Sequence, residues 1–137
     1  MGSVEEVGAF GLDLVTDKTV DEAVEAISQS LKSRQFAILW DLDIPKKLAE
    51  KGLSGTLPFR VLEVCNPQLA HAALEEDALV GYFLPCKVVV YAQGGVTHIG
   101  LLRPTTLIGL VQNQQLVQVA NDVESTLLSV ITEAASS

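Results

Sequence analysis

The sequence predicts a single two-layer α/β (α+β) domain spanning residues 1–137, in which one sheet of about five strands is backed by helices mostly on one face. Three observations carry that expectation. Segments with an apolar period of two alternate with segments at helical spacing. Gly94-Gly95 joins two strand-like runs as a tight hairpin. No internal repeat and no long linker divides the chain.

Taken in order, residues 8–15 set Phe10, Leu12 and Leu14 against Gly11, Asp13 and Val15, the alternation of a strand. Thr19 and Glu22 then form a capping box, followed by Val20, Ala23, Val24, Ile27 and Leu31 at helical spacing and by Lys32 and Arg34 near the helix end. Residues 36–43 return to strand character, with Phe36, Ile38, Trp40 and Leu42 expected on one face. If the strands on either side of the first helix were parallel, they would make a right-handed βαβ unit. Ile44-Pro45 opens a short helix to about Lys51, stopped by Gly52, and residues 54–58 read as loop. A third strand, 59–65, runs into Asn66-Pro67, an N-cap and N1 pair starting a helix that ends near Glu76-Asp77. Strands 86–92 and 96–102 form the hairpin, and Arg103-Pro104 breaks the second of them. A short helix over 106–111, a junction at 112–115 and a final helix striped by Leu116, Val119, Val123, Leu127, Val130 and Ile131 complete the chain, with residues 134–137 expected to fray.

Composition narrows the function classes. A net charge of −8 and a pI near 4.6 lack the basic footprint that neutralises phosphates, so nucleic acid is not an expected partner. No apolar run approaches the ~18 residues that span a bilayer, and no basic cluster suits an anionic membrane. Met1 to Glu6 shows neither the basic nor the apolar region of a signal peptide, so a cytoplasmic setting is expected, where free thiols prevail. The 48% hydrophobic content and mean hydropathy of +0.34 leave apolar surface for a core and for contact with another subunit.

The only cysteines, Cys65 and Cys86, sit where elements end or begin, in Val64-Cys65-Asn66-Pro67 and Leu84-Pro85-Cys86-Lys87. Cys65 precedes a helix N-cap whose orphan N–H groups favour a thiolate, and Lys87 adds a cation beside Cys86, although neighbouring strand residues face opposite sides. Close together, the sulfurs could serve as a disulfide, a metal site or a sulfur relay. Free cysteine is among the most buried residue types, and on the residues alone inert, space-filling thiols are the favoured reading. Two thiolates are too few for a closed zinc site, and His71 and His98 are the only histidines available to complete one. A two-residue turn places His98 opposite Tyr91. Asp41 and Asp43, two apart on a strand, suit a cation or acid/base work, but fit better as a solvated face. No nucleophile elbow is present, and Gly94-Gly95 is not a phosphate loop because no helix follows it.

Residues 59–67 (Phe-Arg-Val-Leu-Glu-Val-Cys-Asn-Pro), Ala70 and residues 84–91 (Leu-Pro-Cys-Lys-Val-Val-Val-Tyr) resemble the bacterial and archaeal family called domain of unknown function 302, and the likeness extends over most of the chain. The resemblance implies a TATA-box-binding-protein-like arrangement, a curved antiparallel sheet backed by helices, and pairing as homodimers. It implies no activity and names no cofactor, and the fold name does not imply DNA binding. Two functions follow. One is a small binding or carrier domain acting through a thiol site at Cys65, Asn66, Cys86 and Lys87, for redox chemistry, metal or sulfur. The other is a dimeric module for apolar ligands or interaction, in which the cysteines are inert and Trp40, Tyr82, Phe83 and Tyr91 matter more. An enzyme is the least supported.

Overall fold

The computed structural model describes residues 3–136; the expectations for Met1, Gly2 and Ser137 lie outside the described residues, while the fraying expected over 134–136 gives way to a helix that runs to Ser136 with Ala134 buried. Among the described residues, six strands form one curled antiparallel sheet in the order β1-β2-β6-β5-β4-β3. They are β1 (Glu5–Val7), β2 (Gly11–Thr16), β3 (Ala37–Asp43), β4 (Phe59–Cys65), β5 (Cys86–Gln93) and β6 (Val96–Leu102). The helices are α1 (Val20–Lys32), α2 (Ile44–Ala49), α3 (Pro67–Glu76), α4 (Pro104–Gly109) and α5 (Val117–Ser136). Single 3-10 segments occupy Ala78–Phe83 and Gln114–Leu116.

The expected architecture holds, with one strand more than the sequence suggested. The run read as a strand from Gly8 begins only at Gly11. Gly8, at φ 54°, turns the chain, and the preceding Glu5-Glu6-Val7 pairs back along β2. All three residues of β1 are exposed, so it carries no apolar alternation to announce it. β2 and β3 do run in the same direction, but β6, β5 and β4 lie between them, so they form no adjacent βαβ pair.

Local signals set the element ends. The Thr19 hydroxyl accepts from the Glu22 N–H at 3.1 Å while the Thr19 N–H donates to the Glu22 carboxylate at 2.9 Å. Gly94 and Gly95, at φ 60° and 79°, make the β5–β6 turn in the left-handed region that glycine adopts without strain, and the register sets Tyr91 opposite His98. Gln112, at φ 62°, interrupts the chain before α5.

α1 and α5 cover one face of the sheet. Ala23, Val24, Ile27 and Leu31 from α1 and Val123, Leu127, Val130 and Ile131 from α5 close over Leu12, Leu14, Leu62, Val64, Val88, Val90, Ile99 and Leu101. Each fully buried aliphatic side chain contributes about 1.5–3 kcal/mol relative to exposure. Ser30 and Arg34 reach Glu133, and the Thr16 hydroxyl donates to the Ala135 carbonyl at 2.7 Å, fastening the two helices over the sheet. A smaller cluster of Ala73, Val80 and Leu116 sits at one end, under α3, α4 and the two 3-10 segments.

Edge strand β3 departs from its expected alternation. Its register against β4 shifts between Ile38 and Trp40, leaving Leu39 as a bulge. Phe36 and Ile38 pack with the core, but beyond the bulge the faces exchange. Asp41 pairs with buried Leu62 on the helix side, and Trp40 pairs with Glu63 on the open side, where it is 56% exposed.

Candidate functional site

Cys65 and Cys86 come to the same end of neighbouring strands. Val64 lies directly opposite Cys86, so Cys65 is one residue out of register, and its neighbour across the edge is Ala37. Side chains one position apart leave a strand on opposite sides, and the thiols are free and half-buried. Burial raises the pKa of Cys65, and burial, with the nearby Cys65 and Glu63, pushes Cys86 up to about 11. The helix N-terminus after Cys65 does not reverse this. The Asn66 side-chain carbonyl already accepts from the Gln68 and Leu69 N–H groups, at 3.1 and 3.2 Å, so they are not free to hold a thiolate. Both sulfurs are therefore protonated thiols at neutral pH.

Lys87 does not act on Cys86. It leaves the opposite face of β5, where its ammonium forms an ion pair with Glu63, its cross-strand neighbour. His71 is exposed on α3. His98 lies far along β6, with Nδ1 3.0 Å from Asp13 and its ring stacked on Tyr91 at 4.8 Å. The proposed metal set of Cys65, Cys86, His71 and His98 thus does not assemble. Among the described residues, no group of three or more His, Cys, Asp or Glu side chains could hold a metal ion. The hairpin register that puts His98 beside Tyr91 is the reason it cannot reach the cysteines.

Asp41 and Asp43 are also committed elsewhere. Arg60 grips Asp41 with two nitrogens and reaches Asp21 of α1, while the Asp43 carboxylate accepts from the Lys46 N–H and caps α2. The bulge in β3 turns this pair towards α1 rather than to the solvated face.

The cysteine end does open onto a cavity. Between the ends of β4 and β5 and the roof made by α3, the 78–83 turn, α4 and α5 lies a narrow apolar space of about 60 Å³. Leu69, Ala73, Phe83, Ile108, Leu116 and Ala120 typify its wall, with Cys65, Asn66 and Cys86 at the strand end. A single water needs ~10–15 Å³ on this scale and several polar partners, so this apolar space favours an apolar guest over water. The roof is held by Glu124, which accepts from Arg103 at 3.0 and 3.1 Å and from the Thr105 N–H and hydroxyl at 3.1 and 2.6 Å. Those hydrogen bonds and the Arg103 charge hold its carboxyl below the usual range against the opposing effect of burial.

Two features lay outside the sequence reading. The cavity arises from segments far apart in the chain and has no local signature. The ladder of Phe59, Tyr91 and His98, with ring centres 5.1 and 4.8 Å apart, stands on the open face with Asp13. Only its Tyr91–His98 step was readable, from the hairpin.

Fold and site together define a small antiparallel α/β domain with an apolar cavity at one end of its sheet. The chain belongs to the family described as domain of unknown function DUF302, whose family model matches residues 12–134. It is similar to the crystal structure of an uncharacterized conserved DUF302 protein from Bacillus stearothermophilus, with 41% identity and a TM-score of 0.87, over 91% of this chain and 98% of that one. No curated protein matches it. No helix among the described residues is long and apolar enough to cross a membrane.

Proposed function

We propose that the domain is a small-molecule binding module that takes a compact, uncharged apolar ligand in this cavity, with Cys65 and Cys86 forming part of the wall. The observation that carries the reading is the apolar space beside two thiols that burial keeps protonated. A charged ligand would find no free partner there, since Lys87 is paired with Glu63.

Xenon dissolved under pressure in a solution of isotope-labelled protein is the test, because a compact atom suits a space of about 60 Å³. Amide shifts should appear around 64–86 and 104–123. They should disappear in Ala70→Phe, which fills the half-buried cavity wall, with the circular dichroism unchanged. Cys65→Ser with Cys86→Ser should leave the shifts in place. No response in the wild type sinks the reading.

A thiol-based carrier is the second reading, favoured by the presence of both cysteines among the residues that line the cavity. Native mass spectrometry of protein purified without reductant or oxygen separates the two. A metal or persulfide mass that disappears in the double serine variant would replace the ligand reading.

We further infer that the domain works as a cytoplasmic homodimer through the open sheet face. Supporting this are exposed Trp40 and the Phe59–Tyr91–His98 ladder, which α1 and α5 leave uncovered. Only monomer in sedimentation at micromolar concentration would refute the dimer.

A further inference from the structure

The roof over the cavity has an outer surface with a character of its own. Leu74, Leu79, Tyr82, Leu110 and Val117 are all exposed there, Tyr82 at 82% and Leu110 at 69%. They belong to one assembled end of the molecule. Leu74 Cδ2 lies 3.4 Å from where a Cβ on Gly81 would sit, packing α3 on the 78–83 turn. The Asn113 side chain donates to Glu76 and Asp77, binding the α4–α5 connection to α3. Ala73, Val80 and Leu116 lie beneath as a shared buried cluster.

The charge around this patch is of one sign. None of the nine Lys and Arg residues lies within 61–86 or after Arg103. Glu75, Glu76 and Asp77 rim the patch, and among the described residues none of them meets a cation. The cations nearest in sequence are spoken for: Lys87 by Glu63 and Arg103 by Glu124 and Glu6.

We propose that this surface docks a cationic amphipathic segment of another protein. It would be a helix whose apolar stripe covers Leu79 and Tyr82 while its flanking Lys or Arg residues meet Glu75, Glu76 and Asp77. Apolar anchors in the centre and complementary charge at the rim are the features that make contacts with an amphipathic helix specific. A second copy of the chain fits poorly, because a two-fold contact sets one acidic rim against its twin. An anionic bilayer is repelled for the same reason. Docking on this outer surface needs no occupant in the cavity beneath it.

Fluorescence anisotropy of a labelled Leu/Lys peptide with apolar i, i+3, i+4, i+7 spacing tests it, with a Leu/Glu peptide of the same pattern as control. The Leu/Lys peptide should bind and the control should not. Tyr82→Ser, at an exposed position that leaves the fold intact, should weaken binding about tenfold, as expected for loss of one aromatic anchor. Glu75→Lys with Glu76→Lys should weaken it at least as much, while Glu5→Lys with Glu25→Lys, an equal charge change elsewhere, should leave it unchanged. Equal losses in the two charge variants would mean attraction to net charge alone and overturn the proposal. So would a dimer that dissociates on Tyr82→Ser, which would assign the patch to a second copy.

Discussion

Replacing Glu124 with Gln isolates the hydrogen bonds and charge that hold the cavity roof to α5. The carboxylate accepts four times, twice from Arg103 and twice from Thr105, and its side chain is 12% exposed. Hydrogen bonds to a charged group contribute about 1.5–3 kcal/mol each, but those of one cluster are not additive and Arg103 is partly solvated. Gln keeps one oxygen and loses the charge, so the cost at pH 7 is about 2–3 kcal/mol. That is a large share of the ~5–15 kcal/mol that holds a typical domain together. Urea unfolding followed by circular dichroism reads it as a lower midpoint at unchanged slope. The pH dependence adds a second readout. The folded carboxyl is held below its unfolded value near ~4.3, so its contribution is fully present above that pH and is lost as pH falls through the folded value. The gap between wild type and Glu124→Gln should therefore narrow as the medium is acidified. A variant within about 0.5 kcal/mol of wild type at pH 7, the range of an ordinary surface change, would refute the role given to Glu124.

Leu127 is fully buried between α5 and the sheet, and Leu127→Ala should cost about 3–4 kcal/mol in the same unfolding assay. At pH 8, a Cys86 pKa of about 11 leaves roughly one thiol in a thousand ionised, so maleimide should label Cys86 slowly in the folded protein and rapidly in urea. Because its folded pKa is raised, Cys86 should stabilise the fold below the unfolded thiol range and lose that contribution as pH climbs towards 11. Trp40 is the single tryptophan, so acrylamide quenching should be efficient in dilute protein and fall with concentration if the open face pairs, whereas concentration-independent quenching would place any dimer elsewhere.

What the sequence made legible is local. The Thr19–Glu22 box, the Asn66-Pro67 helix start and the Gly94-Gly95 hairpin are each specified by residues within four positions of one another, and each forms as read. The hairpin even placed His98 beside Tyr91. The family was legible too, since its motifs are contiguous. Trp40 was misplaced because the exchange of faces comes from one extra residue, Leu39, in a stretch that is apolar throughout and so shows no break in alternation. The helix N-terminus beside Cys65 pointed towards a thiolate, but the same Asn66 that starts the helix occupies its free N–H groups, and burial then decides the protonation state. Neither the cavity nor the Glu124 anchor could be read, because Arg103, Thr105 and Glu124 meet only once α4 folds back on α5.

The bulge at Leu39 also bears on how the protein behaves at high concentration. β3 ends the sheet and opens with Ala37-Ile38-Leu39-Trp40, an apolar, β-prone run of the kind that recruits further strands and grows into fibres. One unpaired residue bends that edge out of the flat geometry a new strand needs. Deleting Leu39 would restore a straight, continuous edge. The loss would then appear less in the stability of the single molecule than in its tendency to aggregate.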